Sequence, residues 1–172
     1  MSLARRQFLK AAAVAGATPY FFSSQKSLAA QAAASPAERP LIGAIGLGGR
    51  GSSVAAQASK FGDVVAVCDV DTKRLEAAKA KKEFGAGKSE AFVDYRKLLD
   101  RKDIDVVTIG TTDHWHTKIA LDAMRAGKDV YCEKPLTLVV NEGRPMIDAA
   151  RKHGRVVQTG TMQRSIHRPG PI

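Results

Sequence analysis

Cysteine is scarce in this chain: 172 residues contain Cys68 and Cys132 alone, each closing an apolar run just before an acid. Their spacing fits no zinc-ligand pattern. Two thiols that end separate strands are not expected to bridge, so both read as small buried hydrophobes. Aromatic residues make up only 6%, with a single Trp, while Lys and Arg (27) outnumber Asp and Glu (17). No aromatic-studded basic stripe or nucleic-acid motif accompanies the net charge of +10. The excess reads as solvated helical faces, as in Lys73-Arg74 and Lys79 to Lys82, and nucleic acid is excluded as a partner. Long apolar runs are missing as well. The N-terminal apolar stretch is too short and too rich in Ala and Gly to span a ~30 Å bilayer core, so no stable membrane insertion is expected. No internal repeat or long linker interrupts the chain.

The first 32 residues read as an export signal rather than as part of the fold. Arg5-Arg6-Gln7-Phe8-Leu9-Lys10 precedes an Ala-rich apolar stretch and then small residues, with plausible cleavage sites after Ala29 or Ala32. The arginine pair resembles the bacterial twin-arginine (Tat) signal, with Ala4 where that signal usually has Ser or Thr. A periplasmic or otherwise exported protein is expected. Removing Arg5, Arg6, Lys10 and Lys26 lowers the formal charge from +10 to +6. The expected order is then a linker over 33–39, one nucleotide-binding domain over 40–165, and an irregular tail over 166–172. About 140 residues suffice for one domain with a real core.

The densest information lies in Leu41-Ile42-Gly43-Ala44-Ile45-Gly46-Leu47-Gly48-Gly49-Arg50-Gly51. An apolar run reads as a strand, the spaced glycines as a turn, and Ser52 to Phe61 as an amphipathic helix. Val64 to Cys68 reads as a second buried strand, ending at Asp69. This order is the one that holds a dinucleotide. Gly46 permits the tight turn, Gly48 lets backbone approach the pyrophosphate, and Gly51 lets helix pack close on strand. Gly49 belongs to the same candidate cofactor-binding loop. The helix N-terminus offers unpaired N–H groups to the phosphates, and Asp69 would accept from the adenosine ribose. Arg50 either pairs with the pyrophosphate or is a solvated loop arginine. NAD is the expected cofactor, with NADP left open because Lys73 and Arg74 stand nearby.

Beyond Asp69 the elements continue to alternate. Asp71 to Phe84 reads as a helix stopped by Gly85, and Tyr95 to Asp100 as a short turn or helix. Asp105 to Gly110 reads as a strand, His114 to Ala126 as a helix closed by Gly127, and Asp129 to Cys132 as a strand. Glu142 to His153 reads as a helix, with Asn141 as its cap so that Pro145 lies near the first turn. Val156 to Thr159 is the last strand. This is an α/β chain with a doubly wound parallel sheet of Rossmann type, whose ligand chemistry gathers at the carboxyl ends of the strands.

Taken together, Gly46 to Gly51, Thr112-Asp113-His114-Trp115-His116, Glu133-Lys134-Pro135 and Gln158 to Arg164 resemble the Gfo/Idh/MocA oxidoreductases. The name covers glucose–fructose oxidoreductase, inositol dehydrogenase and rhizopine catabolism enzymes. The resemblance spans Pro40 to about Ser165 and implies nicotinamide-dependent oxidation of sugars, cyclitols or related polyols. It implies that Glu133 and Lys134 lie beside the nicotinamide ribose, that Lys134 is catalytic, and that Pro135, often cis in the family, aims it. A neighbouring carboxylate would hold the lysine charged, and its ammonium would ease removal of the hydroxyl proton.

Thr111, Thr112, His116 and Arg164 complete the candidate cofactor contacts. The family usually has Pro where Thr112 stands. One of His114 and His116 caps the site and the other is structural or exposed; two residues apart, they are not expected to share a metal. Trp115 is either a packed aromatic or a ring over the nicotinamide.

The family also implies a substrate domain after this one, an open and mostly antiparallel sheet. Ending in Pro169-Gly170-Pro171-Ile172, the sequence reads as lacking it. The expected partners are a dinucleotide and, where a substrate domain is present, a sugar or polyol, with homo-oligomerisation left open. The alternatives are a dinucleotide-binding fragment without turnover, or an NAD-dependent glycosidase that uses transient oxidation.

Overall fold

The computed structural model describes residues 39–162. The N-terminal residues read above as an export signal, and Arg164, lie outside the described residues. Six parallel strands form one sheet in the order β3-β2-β1-β4-β5-β6. They are β1 (Leu41–Ile45), β2 (Asp63–Cys68), β3 (Glu90–Phe92), β4 (Val106–Ile109), β5 (Asp129–Glu133) and β6 (Val157–Gly160). The helices are α1 (Gly49–Ala58), α2 (Thr72–Lys79), α3 (Tyr95–Leu99), α4 (Asp113–Arg125) and α5 (Gly143–His153). The chain order reverses between β1 and β4, and that reversal opens a crevice at the strands' carboxyl ends. None of the described helices is long and apolar enough to cross a membrane.

Two cores cover the sheet, one on each face. Ile45, Cys68, Val107, Ile109, Val130 and Cys132 pack with Leu98 of α3, Ile119, Ala120, Ala123 and Met124 of α4, and Met146 of α5. Ile42, Ala44, Val64 and Val67 pack with Ala55 of α1, Leu75 and Ala78 of α2, and Phe84. Residues that alternate along β1 therefore serve opposite cores, as a strand buried on both faces requires. On β2 the alternation slips, because the register against β1 shifts between Ile42 and Gly43. That bulge puts Val64 and Val67 on one face, with Ala66 and Cys68 on the other.

Cys68 and Cys132 are free and buried, on strands separated by β1 and β4. Burial, and next the carboxylates beside them, pushes both thiols up to about 12, so neither is a ready nucleophile.

Several element ends differ from the expectation. Helix α1 begins at Gly49, inside the glycine loop, rather than at Ser52. The segment 71–84 is two elements, because α2 ends at Lys79 and a 3-10 turn follows at Lys82–Phe84. Lys81 between them is extended, which lets the fully buried Phe84 reach its core. Asp71 is the α2 cap, accepting from the Lys73 and Arg74 amides. Asn141 does not cap α5; it lies in a 3-10 turn over Val140–Glu142 that leads into the helix. Pro145 still falls in the first turn of α5, where its missing N–H costs nothing. Glu142 receives the Leu138 amide at 2.7 Å and the Thr117 hydroxyl at 2.8 Å. Those bonds, the Leu138 amide foremost, hold its carboxyl below the usual range.

Strand β3 and the buried Lys128 were not expected. Lys128 Nζ donates to the carbonyls of Arg101 at 2.6 Å and Ile104 at 2.8 Å, tying down the loop before β4.

Candidate active site

The glycine loop is built as its spacing requires. Gly46 has φ +83°, and a Cβ there would lie 2.6 Å from the Thr111 nitrogen. A Cβ on Gly51 would stand 1.9 Å from the Gly46 carbonyl oxygen, so only glycine lets α1 pack so closely on β1. Gly48 behaves oppositely: a Cβ there would meet only an Arg74 nitrogen, at 3.6 Å. Backbone is thus bare toward open space at the N-terminus of α1, whose cap residue Gly48 contributes no side-chain bond. Such a terminus suits an anion. The loop fits a pyrophosphate.

A cavity of about 580 Å³ opens beside this loop, at the ends of β1 to β4. Gly46, Gly48, Gly49, Arg50, Asp69, Thr111 and Thr112 all line it, as do Trp115 and the unforeseen run Val93 to Arg96. Asp69 is buried: its Oδ2 accepts the Leu47 amide at 2.6 Å and its Oδ1 the Asp71 amide at 2.9 Å. It therefore shapes the glycine loop besides facing the cavity, and each oxygen keeps a free lone pair for a further donor. Trp115 is 41% exposed and packs edge-to-face on Tyr95, with centroids 6.3 Å apart. Tyr95 in turn donates to Asp122 at 2.8 Å, which ties α3 to α4.

The remaining candidates cluster at the end of β5, outside the residues that line the cavity. Glu133 is buried, and Lys134 and Pro135 are exposed across a cis peptide bond. The expected side-chain pair between Glu133 and Lys134 is not formed. Glu133 Oε1 instead receives Arg50 Nε at 2.9 Å and Arg50 Nη2 at 2.7 Å, while its Oε2 accepts the Lys134 backbone amide at 3.2 Å. Glu133, the last residue of β5, thus turns its side chain toward the glycine loop.

His116 is not among the residues that line the cavity. It is 1% exposed, with Nδ1 2.6 Å from the Pro135 carbonyl and Nε2 3.1 Å from the Thr111 carbonyl. It pins two strand-end loops together. His114 is the exposed one of the pair.

Two glycines that the sequence placed only within longer runs, Gly110 and Gly160, position this site by close packing. A Cβ on Gly110 would lie 2.4 Å from Gly51 Cα, and one on Gly160 would lie 2.7 Å from Glu133 Oε1. Each follows or ends a strand next to a site motif, which is the signal that could have marked it.

Comparison with known proteins agrees with this geometry. Residues 41–161 match the Gfo/Idh/MocA profile, described as an oxidoreductase family with an NAD-binding Rossmann fold. An inositol 2-dehydrogenase of Salmonella typhimurium is 39% identical over 59% of this chain and 30% of its own length. A glycosyl hydrolase family 109 protein of Shewanella pealeana is 31% identical over 88% of this chain and 38% of its own. Among solved structures, the myo-inositol 2-dehydrogenase of Lactobacillus plantarum superposes with a TM-score of 0.65 at 30% identity. That superposition covers 75% of this chain and 38% of the other. The chain thus spans 30–38% of the length of these relatives. With its glycine cradle, reversed strand order and Glu-Lys-Pro turn in place, the chain belongs to the Gfo/Idh/MocA oxidoreductase family and carries its NAD-binding Rossmann fold.

Proposed function

We propose that this chain is the nucleotide-binding part of a nicotinamide-dependent oxidoreductase that acts on a hydroxyl of a sugar, cyclitol or related polyol. The observation that carries this reading is the placement of the bare glycine cradle and the Lys134 turn at the carboxyl end of the sheet, joined through Arg50 and Glu133. When bound, NAD supplies the hydride acceptor. Backbone amides at the N-terminus of α1 meet the pyrophosphate, and Asp69 accepts from the ribose. Lys134 holds an ammonium where the substrate hydroxyl loses its proton, lowering the cost of the developing negative charge.

Titration of the protein with NAD and NADP tests the nucleotide half of this reading. Asp69 repels a 2′-phosphate, and like charges brought into contact cost several kcal/mol, so NAD is expected to bind at least about tenfold more tightly. Equal or tighter binding of NADP would show that Arg74, which lines the same cavity, outweighs the carboxylate.

A glycosidase that works by transient oxidation is the second reading. It draws on the family 109 relative, whose match extends furthest along this chain of those quoted. The two readings separate on one measurement with the full-length protein: a dehydrogenase accumulates NADH with substrate, whereas such a glycosidase releases sugar with no net change in NADH.

Export by the twin-arginine route is part of the same proposal, motivated by Arg5-Arg6 ahead of the Ala-rich stretch. Changing both arginines to lysine is expected to trap the precursor in the cytoplasm. Normal export of the double variant would overturn it.

A further inference from the structure

We infer that Arg50 is a positioning residue: it braces the Glu133–Lys134 turn against the glycine loop, so that dinucleotide occupancy at the loop is felt at the backbone of Lys134. The inference rests on the reading of the loop and Lys134 as parts of one site. Arg50 occupies the first turn of α1, two residues after the cap Gly48, and lines the cavity with its side chain 34% exposed. The same guanidinium places two nitrogens on Glu133 Oε1, at 2.9 and 2.7 Å.

Glu133 has little freedom to respond by rotating. Its side chain is 4% exposed, and Gly160 lies so close that a Cβ there would stand 2.7 Å from Oε1. Its second oxygen holds the Lys134 amide at 3.2 Å. Downstream, His116 holds the Pro135 carbonyl at 2.6 Å. The turn is therefore gripped on both sides, and the Arg50 side is the one that offers a cation to the cradle. A pyrophosphate at the α1 N-terminus competes with Glu133 for the guanidinium, because both are anions within reach of one cation. Moving Arg50 loosens or tightens Glu133, and with it the amide that sets where the lysine stem begins.

Amide hydrogen exchange at Lys134, with and without NADH, tests this independently of turnover. In the absence of nucleotide, Arg50→Met is expected to speed exchange of the Lys134 amide about tenfold, the scale of one charge-assisted hydrogen bond. Arg50→Lys should fall between the two. Glu133→Gln keeps the shape and removes the Oε2 acceptor when its amide nitrogen faces Lys134, so it should match Arg50→Met. The Ala44 amide in β1 reports whether the sheet is intact, and should be unchanged. If Arg50→Met disturbs Ala44, the comparison is decided by Glu133→Gln and Arg50→Lys.

NADH should change Lys134 exchange in the wild type. In Arg50→Met, which is expected to bind NADH more weakly, the response should vanish even at NADH concentrations that saturate the variant in a fluorescence titration. Wild-type exchange at Lys134 in the variants, or a full nucleotide response in Arg50→Met, overturns the brace. Failure of the wild type to bind NADH would sink the reading of the site instead, and the nucleotide-free comparison would still decide the brace.

Discussion

Replacing Gly51 with alanine is expected to abolish NADH binding and to destabilise the domain by about 3 kcal/mol, at the upper end of the cost of overpacking. The added Cβ would stand 1.9 Å from the Gly46 carbonyl oxygen and 2.9 Å from the Gly110 carbonyl oxygen. Both obstacles are backbone, so no side chain can rotate to make room. Relief requires α1 to move away from β1 and β4, which takes its N-terminus away from the crevice and disturbs the Leu47 amide held by Asp69. Gly49→Ala is the matched control, since a Cβ there meets nothing within 4 Å. Denaturant midpoints and NADH fluorescence titration of the two variants make the comparison. A Gly51→Ala protein with wild-type midpoint and affinity would show that the close approach of helix to strand does not matter.

Lys134→Met is expected to leave NADH binding nearly unchanged and to lower turnover by about 10²–10⁴-fold, the range for a general acid–base group. The lysine is exposed and lies outside the residues that line the cavity beside the glycine loop, so its loss leaves that lining intact. Nor does it strip Glu133 of its counter-ion, because that role belongs to Arg50. The measurement is kcat and KM on a polyol substrate with the full-length protein, alongside an NADH titration. Near-normal turnover would reduce the Glu-Lys-Pro turn to a structural corner.

The nucleotide half of the site was legible because its signals are local. A strand, a glycine turn, a helix and an acid follow one another within 29 residues, from Leu41 to Asp69, although the tight neighbours of Gly46 and Gly51 include Thr111 and Gly110 at the end of β4. The cis bond at Pro135 was expected only from the family resemblance, whereas the first-turn position of Pro145 follows from proline's missing N–H. Strand β3 was missed because its three residues, Glu90–Phe92, are too short for any alternation to register. The end of α2 was misplaced because Ala-Lys-Lys-Glu favours helix, while burial of Phe84 required the chain to turn.

His116 and Glu133 show why the chemistry was read less well than the cradle. In sequence, His116 stands two residues after His114, yet the ring is buried between carbonyls at positions 111 and 135. Glu133 adjoins Lys134 in the chain, but its partner is Arg50, 83 residues away. The Arg50–Glu133 and His116–Pro135 pairings join residues far apart in the chain, so they depend on which strand ends become neighbours and not on adjacency in sequence.

By itself the sequence determined the layered α/β architecture, the parallel strands and the dinucleotide cradle, because hydrophobic period and glycine spacing act within a few residues. The tertiary structure alone decided the bulge that sets the faces of β2, the burial of Lys128, and the pairing of Arg50 with Glu133. Each of these depends on which strands become neighbours, and that is settled only when both faces of the sheet are covered.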